Sequence, residues 1–353
     1  MEKRHSARAE SMNNLKSFLL KILLLPGATF PFSFLAKERA VVFMLHRFLD
    51  PEHGVVGHDP RFLRQGLAYL RKKRYKFLSL EELLKRLVEG RSVHRVVTFT
   101  IDDGYLEHAT VAAPVFAEFD CPVTTFVTTG FLDGRLWFWW DQIEYIFTQT
   151  KRHEISLSVG DIELKHQWDA ISRPRVQAIV TNACKQLPES EKTAFIRRLA
   201  DATEVELPTQ PPPRYLPMSW DHARACEKSG MTFGPHTVTH PILSRTSDAQ
   251  SLREISESWE RLRSEVRRPV PVFCYPNGRL QDFTEREVAT LRSLHFLGAV
   301  AGTPGYVRPD STCLSQELLF KVPRFGYPAS LPHVVQYVSG AERLKQLLRR
   351  EET

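Results

Sequence analysis

The sequence predicts an α/β fold in which some seven parallel strands close in a barrel-like way, interrupted by a hairpin-and-helix insertion. Three observations predict it. Short apolar runs recur at 40–45, 96–102, 122–129, 232–236, 272–275, 298–301 and 321–325, mostly continuous rather than alternating, as strands buried on both faces require. Amphipathic helical patterns at 60–74, 80–89, 105–119, 220–229, 248–267 and 283–294 alternate with them, which argues for parallel strands joined by crossovers. The rhythm then breaks once, between about 151 and 213.

The first helix has a clear start, with Asp59 as N-cap and Pro60 at the first helical position. It closes on Arg71, Lys72, Lys73 and Arg74, the densest basic run of the chain, and cations there suit the helix dipole. In the interruption, apolar stretches 155–159 and 162–165 flank Gly160-Asp161, a hairpin signal. Two helical patterns and a proline-rich connector at 208–217 follow. The expected organisation is an amphipathic segment over 1–38, the barrel over 39–330 with its insertion at about 151–213, and a C-terminal helix over 331–353.

The 353 residues, 42% hydrophobic and 25% charged, suffice for a large core and argue against a disordered or multi-span membrane chain. The net charge of +7 would suit anionic lipid, acidic glycan or nucleic acid. No nucleic-acid module accompanies it, and no such partner is expected. The five cysteines are odd in number, widely spaced and without a CxxC, so free thiols are expected rather than a disulfide framework. Residues 15–25 read LKSFLLKILLL, with Leu15, Phe18, Leu19, Ile22 and Leu23 on one helical face. That run is too short to span a bilayer, and it reads either as an interfacial helix on a membrane surface or as a helix packed on the domain. A cytoplasmic or peripheral inner-membrane location is expected, with a periplasmic or secreted one as the alternative.

Two segments carry chemistry. Residues 96–105 read VVTFTIDDGY, an apolar strand ending in the paired carboxylates Asp102 and Asp103. Two anions at the end of a buried strand are costly unless a cation or hydrogen-bond donors meet them. Helix capping would use one of the two and leave the other idle. Residues 234–241 read GPHTVTHP, where His236 and His240 can converge on one metal if the chain turns helically between them. Two imidazoles and one carboxylate leave coordination positions open, as catalytic sites do.

With these motifs on the page, the chain resembles the polysaccharide deacetylases of carbohydrate esterase family 4, the NodB-homology group. TIDDGY resembles the family's first motif and HTVTH its second; FCYPNG, residues 273–278, resembles the third motif of exopolysaccharide-type members. The resemblance implies a deformed (β/α)7-type barrel of the glycoside hydrolase/deacetylase superfamily. It also implies a divalent metal, zinc first, with cobalt, nickel, manganese or iron as alternatives. Asp103, His236 and His240 are then the ligands and Asp102 the general base, with the backbone N–H of Tyr275 facing the oxyanion. The family's usual C-terminal histidine motif has no convincing copy. FMLHR, residues 43–47, resembles an N-terminal version of it, which makes His46 the expected acid. Arg324 is expected to hold Asp102 in place of the family's third-motif arginine.

In the run LWFWWD, residues 136–141, Trp139 and Trp140 are candidate sugar platforms, and Tyr105 is a further candidate substrate contact. Glu107 and His108 are expected on an exposed helix start. The implied activity is removal of acetyl groups from N-acetylated amino sugars of a polysaccharide or lipid-linked glycan, with exopolysaccharide synthesis as the context. An O-acetyl esterase of acetylxylan type and a non-catalytic glycan-binding barrel are the alternatives.

Overall fold

The computed structural model describes residues 20–159, 162–309 and 316–350. Its strands are β1 (Val41–Leu45), β2 (Lys76–Phe77), β3 (Val96–Ile101), β4 (Val123–Val127), β5 (Glu154–Val159), β6 (Ile162–Gln167), β7 (Met231–Pro235), β8 (Val272–Cys274), β9 (Gly298–Val300) and β10 (Phe325–Gly326). The main sheet runs β10-β1-β3-β4-β7 with every pair parallel, and β2 pairs with the start of β3. β8 and β9 form a separate parallel pair.

Single bridges join the two sheets into a ring. Phe233 of β7 pairs with Pro269, just before β8, and Val300 of β9 pairs with Val322, just before β10. The circuit β1-β3-β4-β7-β8-β9-β10 is therefore a barrel of the expected kind, deformed at the two junctions where a single bridge replaces a ladder. All six residues of β3 are buried, and so are all five of β4, which explains their continuous apolar runs. Aromatic and aliphatic side chains from both sides of the ring, Phe43, Phe99 and Phe116 among them, fill the core around these strands.

The last stave departs from expectation. Over 321–325 only Val322 and Phe325 join the sheet. Pro323 between them has no N–H to give a ladder. The insertion forms the expected antiparallel hairpin, β5 with β6, followed by helices Arg173–Gln186 and Glu189–Ala202. Its Leu157, Trp168, Val180 and Leu199 pack in a separate cluster with Phe147 of the preceding helix. Its turn, Gly160-Asp161, lies outside the described residues.

At the C-terminus two helices form where one is expected, Leu331–Ser339 and Ala341–Arg350. Gly340 separates them with φ 92°, a left-handed conformation that glycine adopts without strain. Residues 15–19 of the 15–25 segment lie outside the described residues; from Leu20 onward the chain is a short helical end followed by tight turns. Among the described residues no helix is long and apolar enough to cross a membrane. Cys121, Cys184, Cys226 and Cys274 are buried free thiols, while Cys313 lies outside the described residues.

Candidate metal and catalytic centre

The C-terminal ends of β1, β3, β7 and β8 converge on one cavity of about 240 Å3, lined by His46, Asp102, Asp103, Trp140, His236, His240, Asn277 and Arg324 among others. β3 delivers Asp102 and Asp103, which are 2% and 5% exposed. The Asp103 backbone is left-handed (φ 87°), and Gly104 follows at φ 100°, so the chain reverses sharply and turns the two carboxylates to different tasks. A Cβ on Gly104 would stand 2.6 Å from the Leu132 side chain, which explains the glycine.

β7 delivers the histidines, though not by the helical turn expected between them. Residues 236–240 form an irregular loop in which Thr237 (φ 66°) and His240 (φ 62°) are left-handed. Such strain persists only where the surroundings over-determine it. Here the buried Glu254 carboxylate accepts the backbone N–H groups of Val238 (2.8 Å) and Thr239 (2.9 Å) and the Thr239 hydroxyl (2.6 Å). Thr237 Oγ1 in turn accepts the His240 N–H at 3.0 Å.

The outcome is a convergent donor set. Asp103 Oδ1 stands 3.6 Å from His236 Nε2 and 3.6 Å from His240 Nε2. Donors on one tetrahedral ion at roughly 2.0–2.2 Å stand about 3.3–3.6 Å apart, so the spacing fits a single divalent metal. His236 Nδ1 lies 2.7 Å from the Cys274 carbonyl oxygen. As donor there it fixes the tautomer that leaves Nε2 free as a ligand. Burial pushes His236 down to about 4 and His240 well below its usual value, so both rings are neutral at physiological pH, as ligation requires. Burial, reinforced by the Asp102 and Asp141 charges and opposed by His46, pushes Asp103 up to about 7. A cation beside this carboxylate would offset that cost of burial. Asp102, His236 and Cys274 form a second close-set group sharing His236, but Asp102 is otherwise engaged.

Arg324 grips Asp102 with two prongs, Nη1 to Oδ1 at 2.7 Å and Nη2 to Oδ2 at 2.8 Å. The guanidinium also donates to Thr100 Oγ1 at 3.0 Å and to the Ala301 carbonyl at 3.1 Å. Burial would raise the Asp102 pKa, but Arg324 and then His46 override it and hold the carboxyl well below the ordinary range. His46 follows β1, half-exposed at the cavity, with Nε2 3.8 Å from Asp102 Oδ2.

A family model described as polysaccharide deacetylase matches residues 189–295, a span that takes in both histidines and the 273–278 segment. That match covers 107 of the 353 residues, and the likeness to polysaccharide deacetylases is shown for this span. No curated protein matches the sequence significantly. Among solved structures, it is similar to the Streptococcus pyogenes deacetylase PplD in complex with acetate, at TM-score 0.54 and 17% identity, over 86% of this chain and 99% of that one. IcaB from Ammonifex degensii follows at 0.51 and 16%, over 86% and 97%. A putative polysaccharide deacetylase from Bacillus anthracis stands at 0.52 and 16%, over 86% and 69%. At such identities these likenesses speak for the fold.

Within this fold, some sequence-derived residues stand elsewhere than expected. The Tyr275 N–H is already committed to the Val300 carbonyl at 3.3 Å, and its ring is stacked on Phe283 at 3.7 Å. Tyr275 and Asn277 both line the cavity, and Asn277 is left-handed at φ 58°. Tyr105, 1% exposed, stands behind the wall, its hydroxyl donating to Asp141 at 2.8 Å and accepting from Trp140 Nε1 at 3.1 Å. Trp140 does line the cavity, 4.8 Å from the His240 ring centre, whereas Trp139 packs against the insertion under Lys192.

Glu107 and His108, expected on an exposed helix start, are buried. The helix holds a π-turn at His108–Ala112, just before Pro114, with the Ala113 N–H reaching back to the His108 carbonyl. Glu107 pairs with Arg47, whose guanidinium lies 3.8 Å over the Tyr105 ring, and His108 Nε2 meets the His46 carbonyl. Their polarity alone could not reveal them; Pro114, thirteen residues after the end of β3, was the available sign of an irregular helix.

Proposed function

We propose that the chain is a metal-dependent hydrolase that removes acetyl groups from N-acetylated amino sugars of a polysaccharide or lipid-linked glycan. The observation that carries this reading is the convergence of Asp103, His236 and His240, with the Arg324-bound Asp102 carboxylate beside them. A divalent ion held by those three side chains supplies Lewis acidity, lowering the pKa of a water and polarising the acetyl carbonyl.

The chain's own groups do the rest. Asp102, ionised at any working pH, accepts the proton that water loses as its oxygen bonds to the carbonyl carbon. The backbone at Asn277, in place of Tyr275, meets the developing oxyanion. His46, beside Asp102 and open to solvent, donates a proton to the nitrogen as the C–N bond breaks, giving acetate and a free amine. Trp140 offers an apolar ring face to the sugar next to the metal ligands. An O-acetyl ester would need weaker acid assistance, which is why the His46 position favours the amide.

The test is acetate release from N-acetylglucosamine oligomers and from acetylated xylan, before and after chelation and after metal is restored. Release from the amino-sugar oligomers that stops on chelation and returns with metal is the expected result. Release confined to the xylan would make the protein an O-acetyl esterase, and release unaffected by thorough chelation would remove the mechanism.

A further inference from the structure

We propose that the face of the barrel opposite the catalytic mouth docks on an anionic lipid bilayer. It is built from residues the catalytic reading leaves unused. Residues 20–37 coil in successive tight turns, with Leu24 N–H to Lys21 O, Phe30 N–H to Gly27 O, Ser33 N–H to Phe30 O and Lys37 N–H to Phe34 O among the closing bonds. The backbone is thus largely satisfied from within the segment, which is what the edge of a hydrocarbon layer demands. Its side chains, however, are presented outward: Phe30 is 80% exposed, Phe34 68%, and Leu25 59%. Isolated exposed apolar residues need no explanation, but five large ones within thirteen residues (Leu24 and Ile22 complete the set) do.

The C-terminal helices extend the same face. Gly340, between them, touches the segment so closely that a Cβ would fall 2.7 Å from the Phe32 carbonyl oxygen and 2.8 Å from the Ala36 nitrogen. Helix Ala341–Arg350 then exposes Leu344 and Leu348, one helical turn apart.

Charge complementarity selects the occupant. Phe34 shares a cavity with Lys37, Arg39, Lys73 and Arg95, and Arg39 lines a second with Arg308 and Arg343. The Arg71–Arg74 run, whose place at a helix end suits the dipole, thereby gains a second use, since Lys73 belongs to this face. Of the acids there, Glu38 is engaged by the Ser92 hydroxyl at 2.8 Å and the Val93 N–H at 3.0 Å, and Glu342 by Gln336. Apolar side chains ringed by lysine and arginine match a bilayer of anionic headgroups better than a second copy of this basic face.

The geometry fixes the orientation. Arg39 and Ala40 enter β1 at this face, and His46 leaves it at the other, about 20 Å away at the rise of a strand. A docked molecule would turn its mouth to the solvent and reach glycan that extends away from the membrane; this last consequence rests on the hydrolase reading, whereas docking does not.

The test is co-sedimentation of the full chain with vesicles of phosphatidylcholine alone or with phosphatidylglycerol added, at low and high salt. Binding to the anionic vesicles only, weakened by salt, is expected. Phe30→Ser with Phe34→Ser should weaken it by about tenfold or more. Lys37→Gln and Lys73→Gln should each weaken it by about fivefold. Retained metal content and thermal unfolding temperature show that each variant is folded; should the phenylalanine pair fail, the lysine pair decides. No binding to anionic vesicles, equal binding to neutral ones, or unchanged binding by the folded variants would overturn docking. So would sedimentation velocity showing that the phenylalanine variant merely turns a dimer into a monomer. None of these readings depends on hydrolysis, so failure here leaves the hydrolase proposal standing.

Discussion

Arg324 and Asp102 form a two-pronged, buried ion pair in the cavity wall, between a residue just before the last barrel strand and one at the end of the third. Taking two charges out of water is costly, and such a pair is a poor source of net stability. Its value here lies in keeping a buried carboxylate ionised and aimed, with one edge left toward His46 and the cavity.

Replacing Arg324 by Met should therefore change pH dependence as well as stability. In the native protein the folded pKa of Asp102 lies below the unfolded value of about 3.9, so its stabilising contribution is present above that pH and lost as pH falls through the folded pKa. Without Arg324 burial dominates, the folded pKa rises above the unfolded one, and the sign reverses. We expect a loss of about 3–5 kcal/mol at neutral pH that shrinks toward pH 4, read by denaturant unfolding. The acid limb of kcat/KM should move to higher pH. An unshifted limb would show that Asp102 does not depend on Arg324.

Asp102→Asn keeps the shape but cannot accept a proton. Activity should fall by about 10²–10⁴-fold while metal content, read by elemental analysis, stays at the native level. Loss of the metal would make Asp102 a ligand instead of the base.

His46→Ala should lower kcat on amide substrates by about 10²-fold or more, again with metal retained. The loss should be smaller on an activated acetyl ester, whose leaving group needs little protonation. Equal losses on both would assign His46 a structural role.

Trp140→Ala should raise KM by about tenfold, with kcat less affected, if its ring is a sugar platform. Tyr105→Phe removes the hydroxyl that links Trp140 to Asp141 and should act in the same direction more weakly. A change confined to kcat would instead point to disturbance of His240, which the Trp140 ring abuts.

The strands were legible because burial on both faces leaves an uninterrupted apolar run, as in β3 and β4. The paired aspartates and the histidine doublet were legible because such polar groups at strand ends are costly without a use. The loop between the histidines was not, since the two residues between its left-handed Thr237 and His240 are held by Glu254, fourteen residues beyond His240 and without a motif of its own. The closing stave was misjudged because Pro323 reads as part of an apolar run but cannot join a ladder. Glu107 and His108 were missed because a π-turn alters which side of the helix faces inward. Tyr275 is expected at the oxyanion through the family resemblance alone, which does not report its N–H partner; in the barrel that N–H bonds Val300 of β9.

The most direct test of the central claim is crystallographic: anomalous scattering from protein purified with its divalent metal, compared with Asp103→Ala. The native protein should show one strong peak within about 2.0–2.2 Å of Asp103, His236 Nε2 and His240 Nε2, absent from the variant. A peak bound elsewhere, or one that persists at full strength without the Asp103 carboxylate, would contradict the account.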